Sequence, residues 1–429
     1  MKPATIAASN NSAPKTLRAN PDWAKLLLFD RKGWRRLAFG ELAENTRDSV
    51  MPTPADSAAY IGLEHMDPGS LHVRRWGSQA DLIGQKLRMR KGDILFARRN
   101  AYLRRVAIAP HDGLFSAHGM ILRAKSDIVL PEFLPFLMMG DNFMNRAEKI
   151  SVGSLSPTIN WTTLKDEEFD VPPLDQQRRI AVILLAVDEV VENWRATKLY
   201  LEQVRTAKLK AMMLGTTNGN ERQLRDIGDF SPTRRWRIQR AEELVASPIT
   251  KGATPSPYLN TKKATVPFLK IYNLTFTGAL DFTINPTYVE PEVHQTDLKR
   301  SRVRPGDVLM NLVGPPLGKT ALVPADFPEA NVNQAIAIYR IEDPMMREFF
   351  AMYLRSDLAQ RWLEKRSKKT SGQRNLTLEL AQQLPVPIPP AEVLSEVVKA
   401  ARNFAVAHHA VDVVLKEVFA LGQFLTNKL

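Results

Sequence analysis

Short apolar runs, bounded by Gly, Pro and polar clusters, occupy most of this chain, and twice they give way to a long stretch with a different rhythm. From Val171 the sequence reads VPPLDQQRRIAVILLAVDEVVENWRATKLYLEQVRTAKLKAMML. Pro172 and Pro173 close whatever precedes them, because neither has an N–H to donate. Asp175 then offers a carboxylate to cap the free N–H groups of a helix. About 40 residues follow without Gly or Pro, which at 1.5 Å per residue predicts a rod roughly 60 Å long. Ile180, Ile183, Val187, Val190, Trp194, Thr197, Leu201, Val204, Lys208 and Ala211 step by three and four alternately, a heptad seam with mostly apolar members. A lone helix of this length does not stay folded with an apolar stripe in water, so the seam requires a partner.

The partner is found in the same chain, because the order of elements repeats. GDILFARRNAYLRRVAIAP (Gly92–Pro110) aligns without a gap on GDVLMNLVGPPLGKTALVP (Gly306–Pro324). Each copy reads as a turn, a strand (Ile94–Ala97 in the first), a loop and a second strand (Val106–Ala109 in the first). MILRA and NQAIAIYR follow as strands, and the segments from Pro131 and Pro344 as helices with Pro in the first turn. The first copy ends in Pro172-Pro173 and the second in Pro389-Pro390, and after each pair comes a long helix. The second helix carries Leu394, Val397, Ala401, Phe404, His408, Val411, Leu415, Val418, Gly422 and Leu425 on the same spacing. Gly422 and His408 interrupt that seam and predict fraying toward Leu429.

The expected architecture is α+β: two tandem mixed α/β domains separated by two long helices that form an antiparallel coiled coil. Folding of each rod back onto its own domain is the competing arrangement, and pairing covers both seams more simply. The boundaries read as a flexible polar tail (1–30), a first domain (31–173), a first helix (174–216), a second domain (217–390) and a second helix (391–429).

Composition then narrows the function. The 429 residues are 44% hydrophobic, enough for real cores, and include no Cys, which removes disulfides, thiol nucleophiles and Cys-ligated zinc. A reducing cytoplasm fits that usage. The longest apolar run, IAVILLAV, is too short for a membrane span, and the N-terminus has no apolar core of signal-peptide length. A formal charge of +13 favours polyanionic partners, nucleic acid first among them.

Apparent catalytic motifs dissolve on inspection. In GPPLGKT, Gly314 and Gly318 enclose three residues where a phosphate-binding loop needs four, two of them prolines, and ALVP after it reads as a strand. NPTYV departs from the Asn-Pro-Pro-Tyr motif of amino-methyltransferases and reads as a turn. His408 and His409 are adjacent on a helix and point apart, so they do not form a joint metal site. No catalytic or metal-binding residue is nominated. What remains is basic and interleaved with polar and aromatic groups around the same elements of both copies: Arg98, Arg99, Asn100, Tyr102, Arg104 and Arg105 in the first, Lys319, Gln373 and Arg374 in the second. Such cations suit phosphate contacts, and loop Arg, Asn and Gln have the forked geometry that reads base edges.

The chain from about Trp34 resembles the specificity (S) subunit of type I restriction-modification systems. YIGLEHMDP, KGDILFARRNAYLRRVAIAP and VPPLDQQRRI in the first half carry the likeness, as do ITKGATPSPYL, VPFLKIYNLTFTGALD, RVRPGDVLMNLVGPPLGKTALVP, NQAIAIYRI and SGQRNLTLELAQQLPVPIPP in the second. The resemblance implies a non-catalytic subunit with two target-recognition domains, each reading half of a bipartite sequence in double-stranded DNA. The paired helices would set the spacing and dock two modification (methyltransferase) subunits, with restriction/translocase subunits joining through the complex. S-adenosylmethionine, ATP and Mg would belong to those partners, leaving no cofactor in this chain. A self-contained methyltransferase or nuclease, and a DNA-binding scaffold without sequence preference, are the rival readings. The second helix opens PPAEVLSEVV where the first has PPLDQQRRI, a departure that bears on docking there.

Overall fold

The computed structural model describes residues 27–52, 59–77, 83–214, 236–314, 317–370 and 372–429. The expected tail falls outside these up to residue 26, as do residues 215–235 and the prolines of the GPPLGKT turn. The chain forms two compact units: the residues through Lys198 together with Ala410–Leu429, and Leu199–His409.

In the first unit a four-stranded sheet has the order Ala43–Thr46, Met120–Ala124, Ile94–Phe96, Val106–Ile108, antiparallel throughout. A second four-stranded sheet runs Ser49–Val50, Lys86–Met89, Gly113–Ser116, Tyr60–Ile61, with its last pair parallel. Strand Ile94–Phe96 is buried on both faces, which is why its sequence is a continuous apolar run. Ile94 and Phe96 face helices Leu134–Met139 and Asp141–Lys149, while Leu95 and Ala97 pack with Phe115 and Ile121 toward the second sheet. Phe143 ties the helical layer together, with ring centroids 5.1 Å from Phe39, 5.6 Å from Phe96 and 5.2 Å from Phe169.

The second unit repeats this plan. Its antiparallel sheet runs Thr250–Lys251, Ile336–Tyr339, Val308–Asn311, Thr320–Leu322, the same order as its counterpart. Strands Val266–Leu269 and Ala330–Val332 pair in parallel, as Tyr60–Ile61 and Gly113–Ser116 do. The copies differ at the two edges of this sheet: Tyr288–Val289 extends it beside Val266–Leu269, whereas Ser49–Val50 extends the opposite edge beside Lys86–Met89. Both place an aspartate at the turn before the central strand against an arginine at the same point of the neighbouring segment. Asp93 takes Arg123 at 2.6 and 3.0 Å and the Arg90 N–H at 2.8 Å. Asp307 takes Arg340 at 2.8 and 2.7 Å and the Arg304 N–H at 2.8 Å. Each carboxylate is thus buried with its oxygens satisfied.

The long helices span Leu174–Leu214 (41 residues) and Ala391–Thr426 (36 residues), and each unit takes in part of both. Within the first unit Gly422 packs on Val187 and Lys198 pairs with Asp412 at 2.6 Å. Within the second, Nε2 of His408 lies 2.7 Å from Glu202, an ion-pair approach off the hydrogen-bond direction. As numbers rise in one helix they fall in the other, so the two pack antiparallel.

The seam expected on the first helix is displaced. Ile180 is buried, and Val187, Trp194, Leu201 and Val204 are half-buried, but Ile183 and Val190 are each 40% exposed; Leu184 and Val191, one position on, are buried instead. The inward positions also include Asp188, Arg195, Lys198, Glu202 and Arg205, half-buried polar groups that apolar counting passes over. On the second helix Leu394, Val397 and Val411 are buried, with Phe404, Leu415 and Val418 half-buried.

Asp175 does not cap. It sits inside the first turn and its carboxylate bonds Arg179 at 3.1 Å, because the helix already starts at Leu174 after the proline pair. The next two residues hold the helix to its domain. Buried Gln177 donates to Pro172 O (2.8 Å) and Ile128 O (3.0 Å) and accepts from Leu130 N (2.8 Å). Gln176 donates to Leu28 O and Asp30 O and accepts from the Trp34 indole. At the start of the second helix apolar Val393 and Leu394 occupy the corresponding turn and join the core. The departure there is a change of packing chemistry. Nor does the second helix fray toward Leu429: Leu425 and Leu429 are buried in the first unit's core, and Gly422 is the residue that lets Val187 approach.

The segment after Met66 is fastened to the first helix by His72, at 2.6 Å from Asp188, and by Arg74 on Glu192. The bond to Asp188 raises the His72 pKa above its ordinary value, against partial burial. A raised pKa stabilises the fold fully below about pH 6.5, and the contribution is lost as pH rises through the folded value. Thermal melting of the full chain should therefore fall across that interval, and His72→Gln should flatten the profile there. Equal slopes in the two proteins would count against this pair.

Candidate nucleic-acid interface

Both units bring the same two loops together at the same end of the antiparallel sheet. In the first, the loop 97–105 meets the loop 151–160. Arg99 and Thr158 form a backbone bridge, Asn100 N donates to Pro157 O at 2.8 Å, and Ile159 N donates to Arg98 O at 2.9 Å. In the second, Val313–Gly314 pairs with Gln373–Asn375, which turns back on Lys368–Thr370. The ungapped alignment puts Val313 where Arg99 stands, so one crossing is built twice from different side chains.

The first loop is held by residues at positive φ, Asn100 (56°) and Arg104 (48°), flanking a single helical turn at Ala101–Leu103. Asn tolerates that region and Arg does not. Arg104 is kept there by its guanidinium, which bonds Asp141 at 2.9 Å and also engages Glu148 and Asn145. Arg105 also turns inward, donating to Leu63 O at 2.6 Å, and burial pushes its pKa down. These two arginines shape the loop.

Arg98, half-buried, reaches Ala117 O at 3.4 Å, and its Nε and the Oδ1 of Asn100 are buried without a protein partner. Arg99 spans from His118 Nε2 (3.4 Å) to Ser156 Oγ (3.5 Å). Burial lowers the His118 pKa, helped by the positive charges of Arg99, Arg98 and Lys86, so the ring is neutral and accepts from Arg99. Around this polar set stand three exposed apolar side chains: Tyr102 (57%), Val152 (61%) and Leu155 (94%). Arg99 thus stands with His118, Ser156 and these neighbours on one face. His118 and Ser156 escaped the sequence reading, although one signal was present: SAHGMILR has His where the aligned NQAIAIYR has Ala335.

In the second unit Arg374 donates to Glu364 O at 2.9 Å, capping helix Asp357–Arg366, and to Ser367 Oγ at 3.3 Å. Gln373, Lys368 and Lys369 are exposed along the same hairpin. The Lys319 ammonium lies over the Phe276 ring, 5.1 Å from its centre, and a strand begins at Thr320, where a phosphate-binding loop would open a helix. Beneath it Arg355 reaches Thr320 Oγ1 at 3.4 Å; burial, then Arg205, pushes its pKa down to about 10.

Among the described residues no three His, Cys, Asp or Glu side chains gather as metal ligands. A cavity of about 380 Å³ in the first unit is walled by apolar groups such as Phe136, Leu184 and Phe419, and its charged lining, Arg104, Asp141 and Asp188, is already paired. No helix among the described residues is long and apolar enough to cross a membrane.

Comparison with known proteins agrees with this layout. Residues 82–203 match the family described as Type I restriction modification DNA specificity domain. The MjaIX type I restriction enzyme specificity subunit of Methanocaldococcus jannaschii is 26% identical over 186 residues, 43% of this chain and 42% of that protein. The putative MjaX specificity subunit of the same organism is 23% identical over 351 residues, 79% of this chain and 78% of that protein. Of solved structures, the type I restriction-modification S subunit from M. genitalium shares the fold with a TM-score of 0.52 at 16% identity, covering 92% of this chain and 96% of that one. A chain from a type I restriction-modification assembly gives 0.53 at 20% identity, covering 92% and 97%.

Proposed function

The chain belongs to the type I restriction-modification specificity subunits, and on that premise we propose that it is the DNA-recognition subunit of such a complex, each unit reading one half of a bipartite target. The recognition domains are 31–173 and 217–390. The helices 174–216 and 391–429 set the distance between half-sites and dock two modification subunits, through which restriction/translocase subunits join. Adenine methylation, S-adenosylmethionine, ATP and Mg²⁺ belong to those partners, and the complex works in the cytoplasm. The observation that carries this reading is the repeated loop crossing. One topology presents Arg99, His118 and Tyr102 in one unit and Lys319, Gln373 and Phe276 in the other, as reading two different sequences requires.

Co-expression with a modification subunit, followed by sequencing of methylated adenines, should return a split, asymmetric motif. An active partner that methylates without such a motif would sink the proposal. Purified chain given DNA, Mg²⁺ and S-adenosylmethionine should do no chemistry; activity there would favour a complete enzyme. Competition by shuffled DNA should be weaker by orders of magnitude, and equal competition would favour a non-specific scaffold. Affinity should fall steeply with salt as phosphate contacts release counterions.

Arg99→Ala should relax the first half-site alone, at about 1–3 kcal/mol for a lost base contact. Methylated-base sequencing of the variant checks this, and an unchanged motif would remove Arg99 from the reading face.

A further inference from the structure

The turn 275–279 of the second unit holds an aromatic ring out of the core and beside a lysine. At its base buried Leu274 and half-buried Leu280 form a bridge. Above them Thr275 N donates to Ala279 O at 3.2 Å, and the Thr275 hydroxyl accepts from Ala279 N at 2.9 Å. Thr275 also bridges to Thr320, and Leu322 N donates to Gly278 O at 3.1 Å. Gly278, at φ +89°, has the Arg355 guanidinium packed where a Cβ would stand. The turn is therefore braced from several directions, and its tip, Phe276, is 60% exposed.

A phenyl ring fixed in water contributes little to folding, so its worth lies in what it meets. Lys319 covers one face of the ring, and a ring with a covered face does not suit insertion between two base pairs. The pair presents an apolar surface with an adjacent hydrogen-bond donor. In the major groove thymine alone offers the complement, a 5-methyl group beside the O4 acceptor. Cytosine has a donor amino group in that place, and guanine and adenine have no methyl.

We propose that Phe276 and Lys319 together read a thymine in the half-site bound by the second unit, the ring against the 5-methyl and the ammonium donating to O4. This rests on the DNA-recognition reading and deepens it. The test uses the full chain in complex with its modification subunit and duplexes carrying the methylation motif, each thymine of that half-site replaced in turn by deoxyuridine. Uracil keeps O4 and loses only the methyl. One position should lose about fourfold in affinity, the value of one buried methyl group. Phe276→Ala should lose a similar factor and become indifferent to deoxyuridine there. Lys319→Met should keep the deoxyuridine response and lose discrimination between deoxyuridine and deoxycytidine, which both lack the methyl and differ in the acceptor that Lys319 would contact. A half-site in which no thymine responds, or a Phe276→Ala chain that still responds, overturns the proposal while a bipartite motif leaves DNA recognition standing. Absence of any motif is the distinct failure of the underlying reading. Thermal melting of both variants should match that of the unaltered chain, showing that the fold is intact.

Discussion

Inserting one heptad into each long helix, after Lys198 in the first and after His409 in the second, should lengthen the spacer of the recognised sequence by about three base pairs and leave both half-sites unchanged. Seven residues add about 10 Å of helix at 1.5 Å per residue, and base pairs rise about 3.4 Å along each strand. A heptad returns every side chain to its phase, so the inward faces still meet. The antiparallel packing dictates that the insertions be matched: Lys198 faces Asp412 and Glu202 faces His408, and an insertion in one helix alone slides one set of partners past the other. Sequencing of methylated adenines in cells carrying the double insertion reads the outcome directly. An unchanged spacer, or altered half-sites, would refute the role of the helices as a ruler. Two residues inserted into one helix only should instead abolish methylation, since a rotation of about 200° at 3.6 residues per turn would swing the inward stripe to solvent.

Arg340→Met should destabilise the second unit by about 3 kcal/mol, the low end of the cost of stranding a buried charge. Asp307 has 2% of its side chain exposed and loses its bidentate partner, keeping the Arg304 N–H. The lower figure applies because the guanidinium itself is 32% exposed, so water already shares part of the interaction. Urea unfolding of the full chain should show a shifted midpoint for one transition, and Arg123→Met should do the same in the first unit through Asp93. A loss below about 1 kcal/mol would mean the pair behaves like an ordinary surface bridge. DNA specificity at the other half-site should survive each change, which separates folding of a unit from reading by it.

The repeat was legible because burial on both faces forces continuous apolar runs. GDILFA and GDVLMNL announce central strands wherever they occur, and the gapless alignment of their hairpins carried over to sheets of the same order. The first helix shows where apolar counting stops. Its existence follows from its lack of Gly and Pro, but its inward face includes Asp188, Lys198 and Glu202, whose partners lie on other segments. Choosing the most apolar seam therefore selected Ile183 and Val190, which face outward. The candidate site divides in the same way. The sequence placed a basic cluster on the first hairpin loop, yet Arg104 and Arg105 are consumed by Glu148, Asp141 and the Leu63 carbonyl. His118 and Ser156 reach Arg99, and Phe276 reaches Lys319, from elsewhere in the chain.

By itself, then, the sequence determined two copies of a strand-loop-strand unit, two proline-bounded helices and an excess of positive charge, because strand burial, helix propensity and net charge are local or summed properties. Tertiary structure alone decided which side of each helix faces inward, which arginines are spent on carboxylates, and which residues of distant segments stand beside Arg99 and Lys319. Those are pairwise matters between positions far apart in the chain, and a hydrogen bond or ion pair leaves no periodicity from which its partner can be read.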